Sequence, residues 1–330
     1  MGWLARAIDA GHEYRKPLAD IEDDVFLDIG ARRAKSTKFW VQLALASVIA
    51  AGGVIGNSTP AVIGAMIIAP LGTPIYGLAL AAVAGQRRAL RSSLALLVGG
   101  IVVNILIGVL IGIITVNRMP LDLNPQIIGR TAPTLLDLTV AVAVGVAGAF
   151  ALTRRDVADI LAGVAIAISL VPVLAVVGIT LGSWRLDLAL GAFILFLTNA
   201  AAILIAGAIV FSAAGYRREA EDRDEKAGHR ATIAIVVLVI VLVLPLAASS
   251  GQILLYQKWT GEAETAARQW VSGTPWTVET VTQSSNEIVI DVIGPGSPPP
   301  LAQLKAAVRR SVPASVPVKL IEDSGRTESL

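Results

Sequence analysis

Residues 57–77 read NSTPAVIGAMIIAPLGTPIYG. The stretch is apolar enough to enter a bilayer and carries no charge, yet it holds Pro60, Pro70 and Pro74 together with Gly64, Gly72 and Gly77. A proline inside a helix has no N–H for the carbonyl four residues back, and its ring displaces that carbonyl, at about 3 kcal/mol in an ordinary helix. Pro70 is therefore expected to free the carbonyl of Met66, and Pro74 that of Pro70. The spacing of four would put both openings on one face. In lipid such groups are tolerated only where protein buries them or water reaches them, so that face must point inward.

The rest of the chain has the composition this reading needs. Its 330 residues are 55% hydrophobic and 16% charged, with a mean hydropathy of +0.70, which is the integral membrane class. Cysteine is absent, which excludes a disulfide framework and a thiolate metal site. The first 38 residues are mostly polar and lack a long apolar run, so no cleavable signal is read and the N-terminus is expected in the cytoplasm. At about 20 apolar residues per span, seven candidates follow, at 39–56, 60–85, 92–116, 135–152, 157–182, 187–214 and 232–250. Alternate loops carry seventeen Lys and Arg on one side, against Arg118, Arg130 and Arg185 on the other. By the positive-inside rule the first set is cytoplasmic and residues 251–330 lie outside a cell membrane. In that tail, helical spacing alternates with strand-like runs (TVETVTQ, NEIVIDVI, VPVKLIED), which predicts a small α+β domain.

An internal match suggests symmetry. At an offset of 95, QLALASVIAAGGV at residue 42 lies over DLTVAVAVGVAGA at residue 137, and Asn104 lies over Asn199, while Pro74 meets Pro172 at an offset of 98. Three spans per unit make the second unit enter from the opposite face, the inverted plan of many secondary transporters, whose sites form where interrupted helices meet near the midplane. The expected fold is thus all-α and polytopic, with an inverted 3+3 repeat. It comprises a cytoplasmic segment (1–38), repeat 1 (39–116), an outer loop (117–134), repeat 2 (135–214), a cytoplasmic loop (215–231), a seventh helix (232–250) and the outer α+β domain (251–330).

The candidate site residues sit on this frame. Pro172 is expected to free the carbonyl of Ile168 beside Ser169, as Pro70 and Pro74 do around Met66 and Thr73. Asn104 and Asn199, with Thr198 adjoining, place amides inside spans three and six, where interhelical bonding or cavity lining must satisfy them. Asn57 and Ser58 lie at the outer end of span one, where capping of the next helix is the ordinary role. Asp137 is the deepest carboxylate of the spans and a candidate proton or cation carrier, or a plain first-turn acid. The glycine pairs 52/56 and 108/112 serve close helix packing, and the second pair equally suits a subunit interface.

The run from Leu45 to Gly77, with its NSTPAVIGAMIIAPLGTPI core, resembles the signature NS-x-A-V-I-G-A-M-x-I-A-P-L-x-x-P-I of the bacterial and archaeal domain of unknown function 389 family. GVAIAISLVPVLAVVGITLG and LFLTNAAAILIAG resemble its later blocks, so the likeness covers about residues 25–215. Gly72, where a Met-like residue is common, and Val171, where a second Pro is common, depart from the pattern. The resemblance implies a polytopic membrane protein and supplies no substrate or catalytic residue.

No HExxH, GxSxG or phosphate loop occurs, and both histidines, His12 and His229, lie in polar segments. The expected protein is no enzyme, takes no metal or cofactor, binds no nucleic acid, and is a homo-oligomer in the lipid bilayer. Its leading function is a transporter or channel for a small ion or solute. The alternative is a membrane-embedded sensor or scaffold whose outer domain binds a partner, and lipid handling ranks last.

Overall fold

A computed structural model describes residues 14–115, 121–131, 135–157, 170–222, 233, 255–256, 258–284 and 287–323. The chain divides into two compact units, Met1–Leu246 and Ala247–Leu330. The first contains α1 (Leu18–Val25), α2 (Arg32–Ile55), α3 (Thr59–Ile68), α4 (Gly72–Val83), α5 (Arg87–Thr115), a 3-10 turn at Leu121–Leu123, α6 (Pro125–Ile128), α7 (Leu135–Thr153), α8 (Leu170–Gly182), α9 (Leu186–Ala213) and α10 (Tyr216–Glu221). Among the described residues α2, α5, α7 and α9 are long and apolar enough to cross a membrane, and α3 with α4 is long and apolar enough only as a pair, bent by 42° at the break, the form of a broken span or of a re-entrant loop. Of the expected span at 157–182 only the second part, α8, is described as a helix, and the expected span at 232–250 lies outside the described residues apart from residue 233.

The bundle is apolar on its outside. On α5 the buried positions are Ala89, Ser93, Leu97, Gly100, Asn104, Gly108 and Gly112, small or polar for the most part. The exposed face carries Leu94, Val98, Val102, Leu106, Leu110 and Ile114. Such a stripe along a whole helix marks a lipid-facing surface. In contrast, α8 is buried all round, and so is α4 from Pro74 to Val83, as suits helices with no polar face.

Glycine makes the crossing of α5 and α8 possible. A Cβ added to Gly108 would stand 2.8 Å from the Ala175 carbonyl oxygen, and one on Gly112 would stand 2.5 Å from that of Ile179. Gly178 and Gly182 on α8 meet the backbone of Ile105, Gly108 and Val109 in return. The pair 108/112 is therefore filled by α8 of the same chain, which removes it as a subunit interface. A Cβ added to Gly52 would meet no atom of the described residues within 4 Å, so no helix of this chain packs closely on that glycine among them.

Loops gather at two ends. At one, the segment before α1 is stitched to the ends of α7 and α9. Lys16 N–H donates to the Thr153 carbonyl (2.8 Å), and Arg15 reaches the Ala214 carbonyl (2.9 Å) and Glu219 (3.0 Å). The Leu18 N–H bonds the other Glu219 oxygen, Tyr216 donates to the Lys16 carbonyl, and Gln86 reaches Glu22. Burial pushes the Tyr216 phenol up to about 12, so it stays a neutral donor there. At the other end, buried Asn124 donates to the Val54 carbonyl (2.8 Å), Gln126 bonds Thr59, and the Thr131 carbonyl presses on Gly191.

The second unit packs the helix 258–271 and α11 (Leu301–Val308) on one face of a sheet of β1 (Thr277–Ser284), β2 (Glu287–Ile293) and β3 (Val318–Asp323), in the order β1-β2-β3. β1 and β2 are antiparallel, and β2 and β3 are parallel through α11. Trp270, Trp276, Ile288, Ile290 and Leu304 form its core.

Gly108→Val is expected to destabilise the bundle by about 1–3 kcal/mol or more through overpacking. Gly52→Ala, with open space around it, is expected to stabilise α2 by about 0.5–1 kcal/mol. Thermal unfolding of the detergent-solubilised protein compares the two.

Candidate functional site

The proline-rich stretch does not form one kinked rod. The α3 helix ends at Ile68, Ala69 turns to an extended conformation (ψ 124°), and α4 starts at Gly72. Pro70 thus lies in the break, and the Met66 carbonyl belongs to the last turn of α3, which lacks helical donors in any helix. The Pro70 carbonyl, expected to be freed by Pro74, accepts the Thr73 N–H at 3.1 Å. Pro74 occupies the third position of α4, where its missing N–H is one of the four without a helical partner. The two prolines therefore do not open one face of one helix. Together they allow a turn between two short helices, with Pro70 and Thr73 half-buried and Pro74 buried.

Asn57 and Ser58 serve the preceding turn. Asn57 has φ +46°, its N–H bonds the Val54 carbonyl, and the Ser58 N–H bonds that of Gly53 (2.8 Å). This is a Schellman close to α2, with asparagine in the left-handed position. The Ser58 hydroxyl then accepts from the Ala61 N–H at 3.4 Å and caps α3.

Two amides sit deep in the bundle. Asn104, fully buried on α5, donates through Nδ2 to the Val171 carbonyl at 3.3 Å, next to Pro172 of α8. Asn199 and Thr198 are buried on α9. Among the described residues the Oδ1 atoms of both asparagines have no hydrogen-bond partner, although buried polar atoms are nearly always paired. Gly207 of α9 packs on Tyr76 and Ala79 of α4. Two turns back along these helices, Asn199 comes level with the break at residues 70–73. Ile168 and Ser169 lie outside the described residues. Asp137 is a half-buried acid in the first turn of α7 that already has a partner, and Asp156 is held by Arg154 at 2.7 and 2.8 Å.

Three residues matter that the sequence reading passes over. Asn124 ties the segment before α7 to α2 and caps α6, a role signalled by the Asn-Pro pair at 124–125. Tyr76 reaches from α4 to the Val144 carbonyl of α7 at 3.3 Å, with nothing local in the sequence to announce it. Arg130 is bonded to Gln126, its Nε lacks a partner among the described residues, and burial lowers its pKa. Among the described residues no group of three or more His, Asp or Glu side chains is placed to hold a metal ion.

The model of the family described as "Domain of unknown function (DUF389)" matches residues 66–205. An uncharacterized protein of Methanocaldococcus jannaschii is 29% identical over 209 residues, covering 63% of this chain and 64% of its own length. The chain thus matches just under two thirds of that relative. No solved structure matches.

Asn57→Ala is expected to cost about 1–2 kcal/mol, because alanine resists the left-handed region, while Asn57→Gly leaves stability nearly unchanged. Thermal unfolding of the two variants separates a capping role from a loss of ligand contacts, since the capping role predicts rescue by glycine.

Proposed function

We propose, from the premise that residues 66–205 form a DUF389 domain, that this membrane protein is a transporter or channel that passes a small cation or hydrogen-bond-donating solute between two opposed halves. The observation that carries the reading is the pair of buried, unpartnered Oδ1 atoms of Asn104 and Asn199. Both are acceptors, so the chemistry that satisfies them is a cation or a donor N–H or O–H. An anion would meet the wrong end of each amide.

Opposed halves are supported by direction and by packing. Judged by the two groups of loops, α2 and α7 run in opposite senses, as do α4 and α8, and α5 and α9. The neighbours exchange in the same way: α5 lies on α8 and α2, whereas α9 lies on α4 and α7. Gly112, packed on α8, corresponds at the sequence offset of 95 to Gly207, packed on α4. The break at residues 69–71 supplies irregular backbone level with Asn199, the feature transporters use to bind near the midplane. The proposed orientation keeps the arginine-rich end in the cytoplasm. No catalytic step is assigned to the chain.

The tight crossing of α5 and α8 favours a second reading, a membrane scaffold whose interior is dry. Flux decides between them. Purified protein in liposomes is tested against potassium, sodium, protons and small neutral solutes. A signal that falls about tenfold or more in both Asn104→Leu and Asn199→Leu, with unfolding temperatures unchanged or raised, supports permeation. Absence of flux for every probe with folded protein, or flux indifferent to both substitutions, leaves the scaffold.

A further inference from the structure

The C-terminal unit has a surface that the permeation reading does not use. In a sheet of order β1-β2-β3 both β1 and β3 are edges among the described residues, each with a row of outward N–H and C=O groups that can template another strand. The register of β1 is broken between Val278 and Thr280, an irregularity that disfavours further pairing. In contrast, β3 pairs with β2 in unbroken register from Val318 to Asp323. The Pro317 carbonyl accepts the Ile288 N–H, so residues 317, 319, 321 and 323 turn their backbone groups to β2. Val318, Leu320 and Glu322 turn theirs to the open side.

Beside that edge runs a groove of about 370 Å³, walled by Leu301, Lys305 and Arg309 of α11 and by Val318 and Leu320 of β3. Arg309 is held at the groove by its bonds to the Pro313 and Val316 carbonyls. On the other face of the strand Ile321 is 45% exposed, and Lys319, two residues before it, is exposed as well.

We propose that this edge seats a second copy of the chain, β3 against β3 and antiparallel, with Ile321 facing Ile321 across the two-fold axis. Directly opposed residues in such a pair share a face of the sheet. The register is therefore centred on Leu320 or on Ile321. Centred on Leu320, it sets Lys319 against the partner's Ile321 and Val318 against the partner's Glu322, mismatching charge and apolar surface at both. Centred on Ile321, it covers the exposed Ile321 with its twin and keeps the charge of Lys319 clear of that apolar pair. Leu320 and the partner's Glu322 then exchange backbone hydrogen bonds, and that carboxylate enters the groove beside Lys305 and Arg309. Charge complementarity thus selects one register and one occupant. The contact is isologous, so it closes as a dimer and leaves the irregular β1 edges outermost.

The chain has no cysteine, so an introduced one reports alone. Full-length protein in detergent and in bilayers is oxidised and run on non-reducing gels. Ile321→Cys is expected to form a disulfide-linked dimer, because its pair is the close, non-hydrogen-bonded kind. Lys319→Cys, Leu320→Cys and, on the far edge, Thr282→Cys are expected to remain monomeric. Adding Lys305→Glu to Ile321→Cys is expected to lower cross-linking roughly tenfold, and adding Glu322→Lys as well to restore it. Cross-linking centred at position 320, a dimer in which position 321 stays unlinked, or a monomer throughout with folding intact would each overturn the proposal. None of these outcomes depends on whether the protein carries a solute.

Discussion

Where α5 crosses α8, Gly108 and Gly112 of one helix meet Gly178 and Gly182 of the other with no side chain between them. In lipid there is little hydrophobic gain from bringing helices together, so van der Waals contact over such small residues carries the association. The rest of the first unit follows from it. Large apolar residues of α5 are displaced to the outer face, where Leu106, Leu110 and Ile114 stay exposed, and α8 becomes a wholly buried rod. Asn104, one turn before Gly108, is thereby brought within reach of the Val171 carbonyl. A bulkier residue at either glycine would move that amide as well as the helix.

The break between α3 and α4 answers a second constraint. Backbone groups left over by a turn inside a membrane protein must be buried or solvated. The Pro70 carbonyl is taken by Thr73, and α4 beyond it is enclosed by α5 and α9. Within the long helices, the buried side-chain atoms without a partner among the described residues are the Oδ1 oxygens of Asn104 and Asn199. Both ends of the bundle are tied by polar contacts, around Arg15, Glu219 and Tyr216 at one end and Asn124 and Gln126 at the other. The interior amides therefore belong to a bundle fastened at both ends.

Much of the helical frame is legible in the sequence because apolar length is a direct statement about the bilayer. The runs at 135–152 and 187–214 predict α7 (Leu135–Thr153) and α9 (Leu186–Ala213) to within a residue or two. The α5 helix starts earlier than its apolar run because Arg87, Arg88 and Arg91 continue the helix into the charged end, where hydropathy alone cannot follow it. The small C-terminal sheet follows from alternation in TVETVTQ and NEIVIDVI. The prolines mark the place of the break and mislead about its form, since one residue in a non-helical conformation, Ala69, turns an interior proline into a linker residue. Likewise Asn57 signals a polar end, while its left-handed backbone is fixed by the Schellman bonds around it. The Tyr76 contact is long-range and leaves no local pattern.

Water access to the two amides tests the central claim most directly. Single cysteines replacing Asn104, Thr73 or Asn199 in the otherwise cysteine-free chain are exposed in intact bilayers to a small, charged, water-borne thiol reagent, with Leu174→Cys in the packed heart of α8 as the reference. Reaction at 73 and 199 and at 104, with position 174 silent, is the predicted result. Silence at all four positions in folded protein would contradict it.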